Sequence, residues 1–278
     1  MKKIYGVIGD PIRHSMSPDI HNDAFARNGI DACYLHFHVK ANQLEEAVKG
    51  MKAIGVEGFN VTVPHKTAIL PLLDEVDEMA LAMGAVNTVK KVNGRYIGYN
   101  TDGAGFVTAL HDKIGRELTS LKTIMIGAGG AARGIYYALS REGLAKIDIC
   151  NRTIENAEHL IADCPYHNVS EALSIKEAEL RLGKYDLIIQ TTSIGMSPNV
   201  DSSPLKLDLL SEDAFVSDII YNPLETKIMK TAREKGAAVQ NGVDMFVCQA
   251  ALAFQIWTGI FPDISKMRDI VLDKLGGS

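Results

Sequence analysis

The chain has no C-x-x-C pair, no apolar stretch of membrane-spanning length, no low-complexity run and no marked excess of either charge. Each absence removes a class of function. Its four cysteines, Cys33, Cys150, Cys164 and Cys248, are scattered without metal-ligand spacing, so no zinc module is expected and reduced thiols are the expected state. The longest apolar segments, such as the one around Val247, are broken by polar residues and fall short of the roughly 20 residues that a spanning helix needs. With 29 basic and 34 acidic residues, the net charge of -5 provides no general field for nucleic acid or an anionic membrane. An anionic small molecule would need locally clustered positive charge. The opening MKKIYGVIGD passes from two lysines straight into a β-like segment, without the apolar region of a secretory signal, and a cytoplasmic location is expected.

What is present is an ordinary globular composition, 46% apolar and 23% charged over 278 residues. At roughly 100–200 residues per domain, that length suits two domains. The first part alternates between strand and helix patterns: a strand over residues 4–8, a helix over 17–28 with Pro18 at its first position, a strand over 32–39, a helix over 44–53, a strand over 58–63 and a helix over 74–83. This order predicts a mainly parallel sheet. Segments 86–92 and 96–99 flank Asn93-Gly94, a tight hairpin turn that adds an antiparallel element. A second alternating series begins at Thr123, with a helix over 132–142 and strands over 146–150, 186–190, 214–220 and 237–240. Two series predict two α/β sheets. Residues 242–256 carry one apolar helical face, and 164–174 show no regular pattern.

The second series opens with a dinucleotide signature. A strand ending at Ile126 leads into Gly127, Ala128, Gly129, Gly130, Ala131 and Ala132, and then a helix. Gly127 permits the tight turn, Gly129 lets the backbone approach a pyrophosphate, and small Ala132 allows the helix to pack close, its first amides facing the anion. About 20 residues on, where an NAD enzyme usually carries an acidic residue, stand Asn151, Arg152 and Thr153. A guanidinium there suits the 2′-phosphate of NADP, which a carboxylate would repel.

Four polar islands interrupt the first series: His14 to Ser17, Asn60 to Lys66, Gly84 to Thr88, and Gly98 to Gly103. Each lies where a strand gives way to a loop or helix, or beside the hairpin, and ligands of open α/β sheets bind at strand carboxyl ends. Singly, each has an ordinary role: Ser17 as a helix N-cap, Asn87 in a turn, Asp102 capping the next helix, Lys66 as a solvated charge. Together they suit a small polyhydroxylated acid.

With these islands the sequence resembles the shikimate dehydrogenase family over nearly its whole length. The resemblance rests on Ser15-x-Ser17, N-V-T-x-P-x-K at 60–66, G-A-V-N-T at 84–88, N-T-D-x-x-G at 100–105, the glycine turn, Asn151-Arg152-Thr153, D-x-x-Y-x-P at 218–223, and the runs at 242–245 and 249–251. It implies that Ser15, Ser17, Asn60, Thr62, Lys66, Asn87, Asp102, Tyr221 and Gln249 contact substrate. Ile219, Gly242 and Met245 would lie near the nicotinamide. It also implies a discontinuous substrate domain, residues 1–101 plus 241–278, and an NADP-binding Rossmann domain, 102–240. Arg13 stands where many relatives have glycine, and Asn156 where NADP users often have a second basic residue.

The activity so implied is reversible NADPH-linked reduction of 3-dehydroshikimate to shikimate, with Lys66 and Asp102 as a coupled acid-base pair. Two alternatives stand beside it: an NAD-linked quinate/shikimate dehydrogenase, which would want an acidic residue near Arg152, and a dinucleotide-binding regulator without catalysis. Retention of Lys66 and Asp102 argues against the regulator. His36 and His38 share one strand face but lack a third ligand, so no metal is expected. A homodimer is left open.

Overall fold

The computed structural model describes residues 2–144, 146–166 and 168–276. It divides into two compact units: residues up to Asp102 with Val247–Gly276, and Gly103–Phe246. Among the described residues, no helix is long and apolar enough to cross a membrane.

The first unit carries strands β1 (Lys3–Gly9), β2 (Ala32–His38), β3 (Gly58–Val61), β4 (Glu75–Val76), β5 (Thr88–Val92) and β6 (Arg95–Tyr99), in the order β2-β1-β3-β5-β6-β4. Its helices before the second unit are α1 (Ser17–Arg27), α2 (Leu44–Ala53), α3 (His65–Ala68) and α4 (Glu78–Met83). The strand pairs β1–β2 and β1–β3 are parallel, while β3–β5 and the hairpin β5–β6 are antiparallel. Asn93 (φ 51) and Gly94 (φ 78) supply the hairpin's left-handed turn, as the dipeptide predicts. Ile8, Phe59, Val61, Val89 and Tyr96 bury one face of this sheet against Leu44, Val48 and Met51 of α2.

Helix α5 (Asp102–Ile114) leads into the second unit, where β7 (Thr123–Ile126), α6 (Gly130–Arg141), β8 (Ile147–Cys150), α7 (Ile154–Ala162), β9 (Ala172–Leu173), α8 (Ile175–Arg181), β10 (Leu187–Gln190), β11 (Phe215–Asp218), α9 (Lys227–Glu234) and β12 (Ala238–Gln240) alternate. All five strand pairs are parallel, in the order β12-β11-β10-β7-β8-β9. Numbered within this sheet, that is the 3-2-1-4-5-6 order of a Rossmann fold read from the β9 edge. The buried, unalternating β7 and β10 are what a parallel sheet covered on both faces requires. Helices α10 (Val243–Thr258) and α11 (Ile264–Lys274) follow.

Two expectations need correction, and one unassigned stretch gains structure. The helix predicted over 74–83 starts only at Glu78, because Asp77 caps it through Oδ1 and Met79 N–H (3.0 Å) and because Glu75 and Val76 pair with Ile97 and Gly98 of β6. The strand predicted from residue 86 starts at Thr88, because Val86 N–H donates to the Lys66 carbonyl (2.8 Å) and Asn87 turns its side chain into a polar network. The irregular stretch 164–174 contains β9, which pairs with β8 at the sheet edge.

Candidate functional site

Sheet register brings three of the four islands of the first unit together, those at 60–66, 84–88 and 98–103. Asn60 lies opposite Thr88, and Thr88 lies opposite Tyr99. The end of β3, the start of β5 and the end of β6 therefore share one edge, and segments far apart in sequence become neighbours there, as the Asn60–Asn87 and Asn87–Tyr99 bonds record.

At that edge Lys66 Nζ donates to Asp102 Oδ2 (2.6 Å), and Asn87 Nδ2 donates to Asp102 Oδ1 (2.8 Å). The Asn87 amide is held the right way round because its Oδ1 accepts from Thr101 N–H (2.8 Å) and from the Thr88 hydroxyl (2.9 Å). Asn60 Nδ2 donates to the Asn87 carbonyl and to Thr88 Oγ1, while its Oδ1 accepts from the buried Tyr34 hydroxyl (2.6 Å). Asn60 and Asn87 are buried, whereas the Lys66 and Asp102 side chains keep 33% and 17% of their surface exposed. A buried amide scaffold thus carries an ion pair whose ammonium, with three N–H donors, still has some to offer a ligand oxygen.

Two ordinary roles give way. Asp102 does not cap α5, since its carboxylate is bound to Lys66 and Asn87, and its own N–H donates to Asn100 Oδ1 (3.0 Å). Ser17 is the first residue of α1, not its cap. Ser15 Oγ donates to Ser17 Oγ (3.1 Å) and accepts from Ser17 N–H (3.3 Å), so the two hydroxyls sit side by side. Thr62 is half-buried, with its backbone tied to Ile8 and His65. Gln249 is half-buried on α10 in the first unit.

The second unit places Gly127 (φ 109) directly after β7, a conformation that L side chains rarely adopt. A Cβ there would also stand 2.6 Å from Thr191 Oγ1. Gly129 and Gly130, at the start of α6, face open space, which leaves the first amides of the helix open to an approaching anion. Arg152, Thr153 and Asn156 are exposed where β8 passes into α7, and Asn151 Nδ2 donates to the Thr153 carbonyl (2.7 Å), shaping that turn. The residues present therefore fit a dinucleotide: small residues under the pyrophosphate and an exposed guanidinium beyond.

Asp218 is buried at the end of β11, where burial pushes its carboxyl up to about 6. It accepts from Thr226 Oγ1 (2.6 Å) and Ile220 N–H (2.9 Å), fixing the turn that carries Ile219 and Tyr221. Tyr221 packs on Phe246 at 5.3 Å, and burial raises its phenol. Met245 is half-buried on the first turn of α10. A Cβ on Gly242 would collide with the Ile219 carbonyl, and Gly242 N–H donates to the Ile220 carbonyl (2.9 Å). Gly242→Ala is accordingly expected to destabilise the fold by about 1–3 kcal/mol, the usual cost of overpacking, checked by denaturant unfolding.

Sequence reasoning missed Thr191 and Thr192, which follow β10 beside the glycine turn. The Thr191 hydroxyl donates to the Ile126 carbonyl (2.7 Å), and Thr192 is bonded to Gln190. The available signal was a polar island at the end of a strand, T-T-S-I-G-M, located where the strand order reverses between β7 and β10.

A parallel sheet in Rossmann order with a glycine turn at its switch point, joined in one chain to a second α/β unit with a lysine–aspartate network, defines a dinucleotide-linked oxidoreductase class of architecture. Residues 7–89 match the shikimate dehydrogenase substrate binding domain, 109–205 the shikimate / quinate 5-dehydrogenase family and 242–272 the shikimate 5'-dehydrogenase C-terminal domain. The chain is 54% identical over its full length, and 99% of the relative's, to the shikimate dehydrogenase (NADP(+)) of Bacillus subtilis (strain 168). It is 53% identical, across 100% of both chains, to that of Geobacillus sp. (strain WCH70). The structure of shikimate 5-dehydrogenase from Thermus thermophilus in complex with NADP(H) and shikimate is similar with a TM-score of 0.88 at 34% identity, covering 98% of this chain and 99% of that one. The chain belongs to the shikimate dehydrogenase family.

Proposed function

We propose that this chain catalyses the reversible NADPH-linked reduction of 3-dehydroshikimate to shikimate, with substrate held by the polar network of the first unit and cofactor by the glycine turn of the second. The observation that carries the assignment of roles is the Lys66–Asp102–Asn87 network, an ion pair oriented by a buried amide at the sheet edge where three of the islands meet.

When bound, NADPH supplies the hydride for the substrate's 3-carbon. The Lys66 ammonium donates the proton to the oxygen that becomes the hydroxyl, and in the oxidative direction the amine takes it back. Asp102 holds Lys66 and accepts a hydrogen bond from the neighbouring substrate hydroxyl, while Asn60, Thr62 and Asn87 fix the ring's other hydroxyls. Ser15 and Ser17 bind the carboxylate, and Tyr221 and Gln249 complete the substrate contacts. Gly127, Ala128, Gly129, Gly130 and Ala131 receive the pyrophosphate. Asn151, Arg152, Thr153 and Asn156 surround the 2′-phosphate, with Ile219, Gly242 and Met245 toward the nicotinamide. We place the reaction in the cytoplasm, where the four free thiols stay reduced.

Parallel turnover assays with shikimate and quinate, each with NADP and NAD, test this reading. Shikimate with NADP is expected to be the efficient pair, and quinate with NAD as the better pair would overturn it. Arg152→Ala should lower catalytic efficiency with NADP by roughly tenfold, the value of one charge-assisted hydrogen bond, and leave NAD nearly unchanged. The NADP loss should shrink at high salt because Arg152 is exposed. Equal losses for both cofactors would show that Arg152 does not read the phosphate.

A further inference from the structure

Strand β2 is an edge strand, and its residues Tyr34, His36 and His38 alternate onto one face. All three touch the segment that carries the serine pair or the residues next to it. His38 Nε2 meets Asp10 Oδ1 (2.7 Å) where that segment begins. His36 Nε2 lies 2.8 Å from the Ser15 carbonyl, which can only accept, so Nε2 carries the proton. Tyr34 donates its hydroxyl to Asn60 Oδ1 (2.6 Å), with the Ser17 side chain beside it. The backbone of Tyr34 is latched to α1 as well: its N–H donates to Asn22 Oδ1 (2.8 Å), and its carbonyl accepts from Asn22 Nδ2 (2.9 Å).

The Tyr34 ring has little freedom. It stacks on His21 with centroids 4.5 Å apart and planes at 15°, and Trp257 packs at 6.0 Å. His21 is fully buried without a hydrogen-bond partner among the described residues, and burial pushes it down to about 3, so it serves as a neutral packing surface.

We propose that this face of β2, through Tyr34 and His36, positions the Ser15/Ser17 hydroxyls and the Asn60 amide and thereby sets affinity for the substrate, the serines at its carboxylate and Asn60 at a ring hydroxyl. This rests on the reading of the serines as carboxylate ligands. Tyr34 and His36 are positioning residues: the Asn60 Nδ2 bonds to the Asn87 carbonyl and Thr88, which support the Lys66–Asp102 pair, persist without them, so their loss falls on substrate binding and leaves proton transfer at Lys66 and the cofactor turn alone.

The test is steady-state kinetics of Tyr34→Phe and His36→Ala with shikimate and NADP. Phe keeps the stacked ring and removes only the hydroxyl, and His36 is exposed, so both variants should fold. Each lost neutral hydrogen bond should raise the shikimate KM by roughly 2- to 10-fold, with kcat and the NADP KM held within about twofold. His36→Gln, which restores a donor, should recover most of the His36→Ala loss. Adding His36→Ala to the Ser15→Ala/Ser17→Ala variant should cost less than it does in the wild type, because the hydroxyls it positions are gone, whereas Tyr34→Phe should keep part of its cost through Asn60. If the serine variant binds shikimate normally, the carboxylate reading fails and this proposal with it. If the serine variant is impaired while Tyr34→Phe and His36→Ala keep a normal shikimate KM, or lose kcat and NADP affinity equally, the positioning role alone is overturned.

Discussion

Lys66→Ala is expected to leave a folded protein whose turnover falls by roughly 10²–10⁴-fold, the range for loss of a positioned general acid or base. Folding should survive because the lysine side of the pair is 33% exposed and the more buried Asp102 keeps a hydrogen-bond partner in Asn87. The hydrogen bonds that orient Asp102 persist without the ammonium, since Asn87 Nδ2 still donates to its Oδ1. The loss should therefore appear in kcat more than in shikimate binding. Asp102→Asn should also be slow, for a different reason: the amide cannot accept from both Lys66 and Asn87, so the ammonium loses its fixed position. If the two side chains act as one unit, the double variant will be little worse than the poorer single one. Near-normal turnover of Lys66→Ala would remove this lysine from the chemistry.

Much of this arrangement can be read in the sequence wherever local chemistry dictates conformation. Asn93-Gly94 specifies its own left-handed turn, and the strand–glycine–helix run at 123–133 can hardly be read otherwise, because the turn at Gly127 excludes a side chain both by φ and by contact with Thr191. Local pattern fails where a long-range contact decides. Glu75 and Val76 form a strand only because β6 offers its edge, and nothing within residues 74–83 announces that partner. The second glycine contact is equally silent: Gly242 is required by the Ile219 carbonyl, which only the folded chain brings near.

The site shows the same division. Lys66, Asn87 and Asp102 stand out as polar residues at strand ends, yet their mutual hydrogen bonds depend on a register that sets Asn60 against Thr88 and Thr88 against Tyr99. Tyr34 escaped attention because an aromatic residue within an apolar strand ordinarily belongs to the core. It does lie in the core, and only its hydroxyl reaches Asn60. His36 and His38, which read as an exposed strand face, prove to be bonded to the Ser15 carbonyl and to Asp10.

The serine pair shows how the structure alters an expectation. Hydrogen bonds to a charged group contribute about 1.5–3 kcal/mol each, so Ser15→Ala/Ser17→Ala should weaken shikimate binding by about 10²-fold or more. From sequence, Ser17 as an N-cap would add a stability loss of about 1 kcal/mol. In the structure α1 begins at Ser17 and has no side-chain cap, and the two hydroxyls bond to each other instead. Removing both leaves no helix amide newly unpaired apart from Ser17 N–H, whose partner is Ser15 Oγ (3.3 Å). Unfolding should therefore shift by less than the cap would imply, while binding falls steeply and the NADP KM stays unchanged. Titration calorimetry with shikimate beside thermal unfolding separates the two effects. A large drop in thermal stability with binding intact would return Ser15 and Ser17 to a structural role and leave the substrate carboxylate without its proposed ligands.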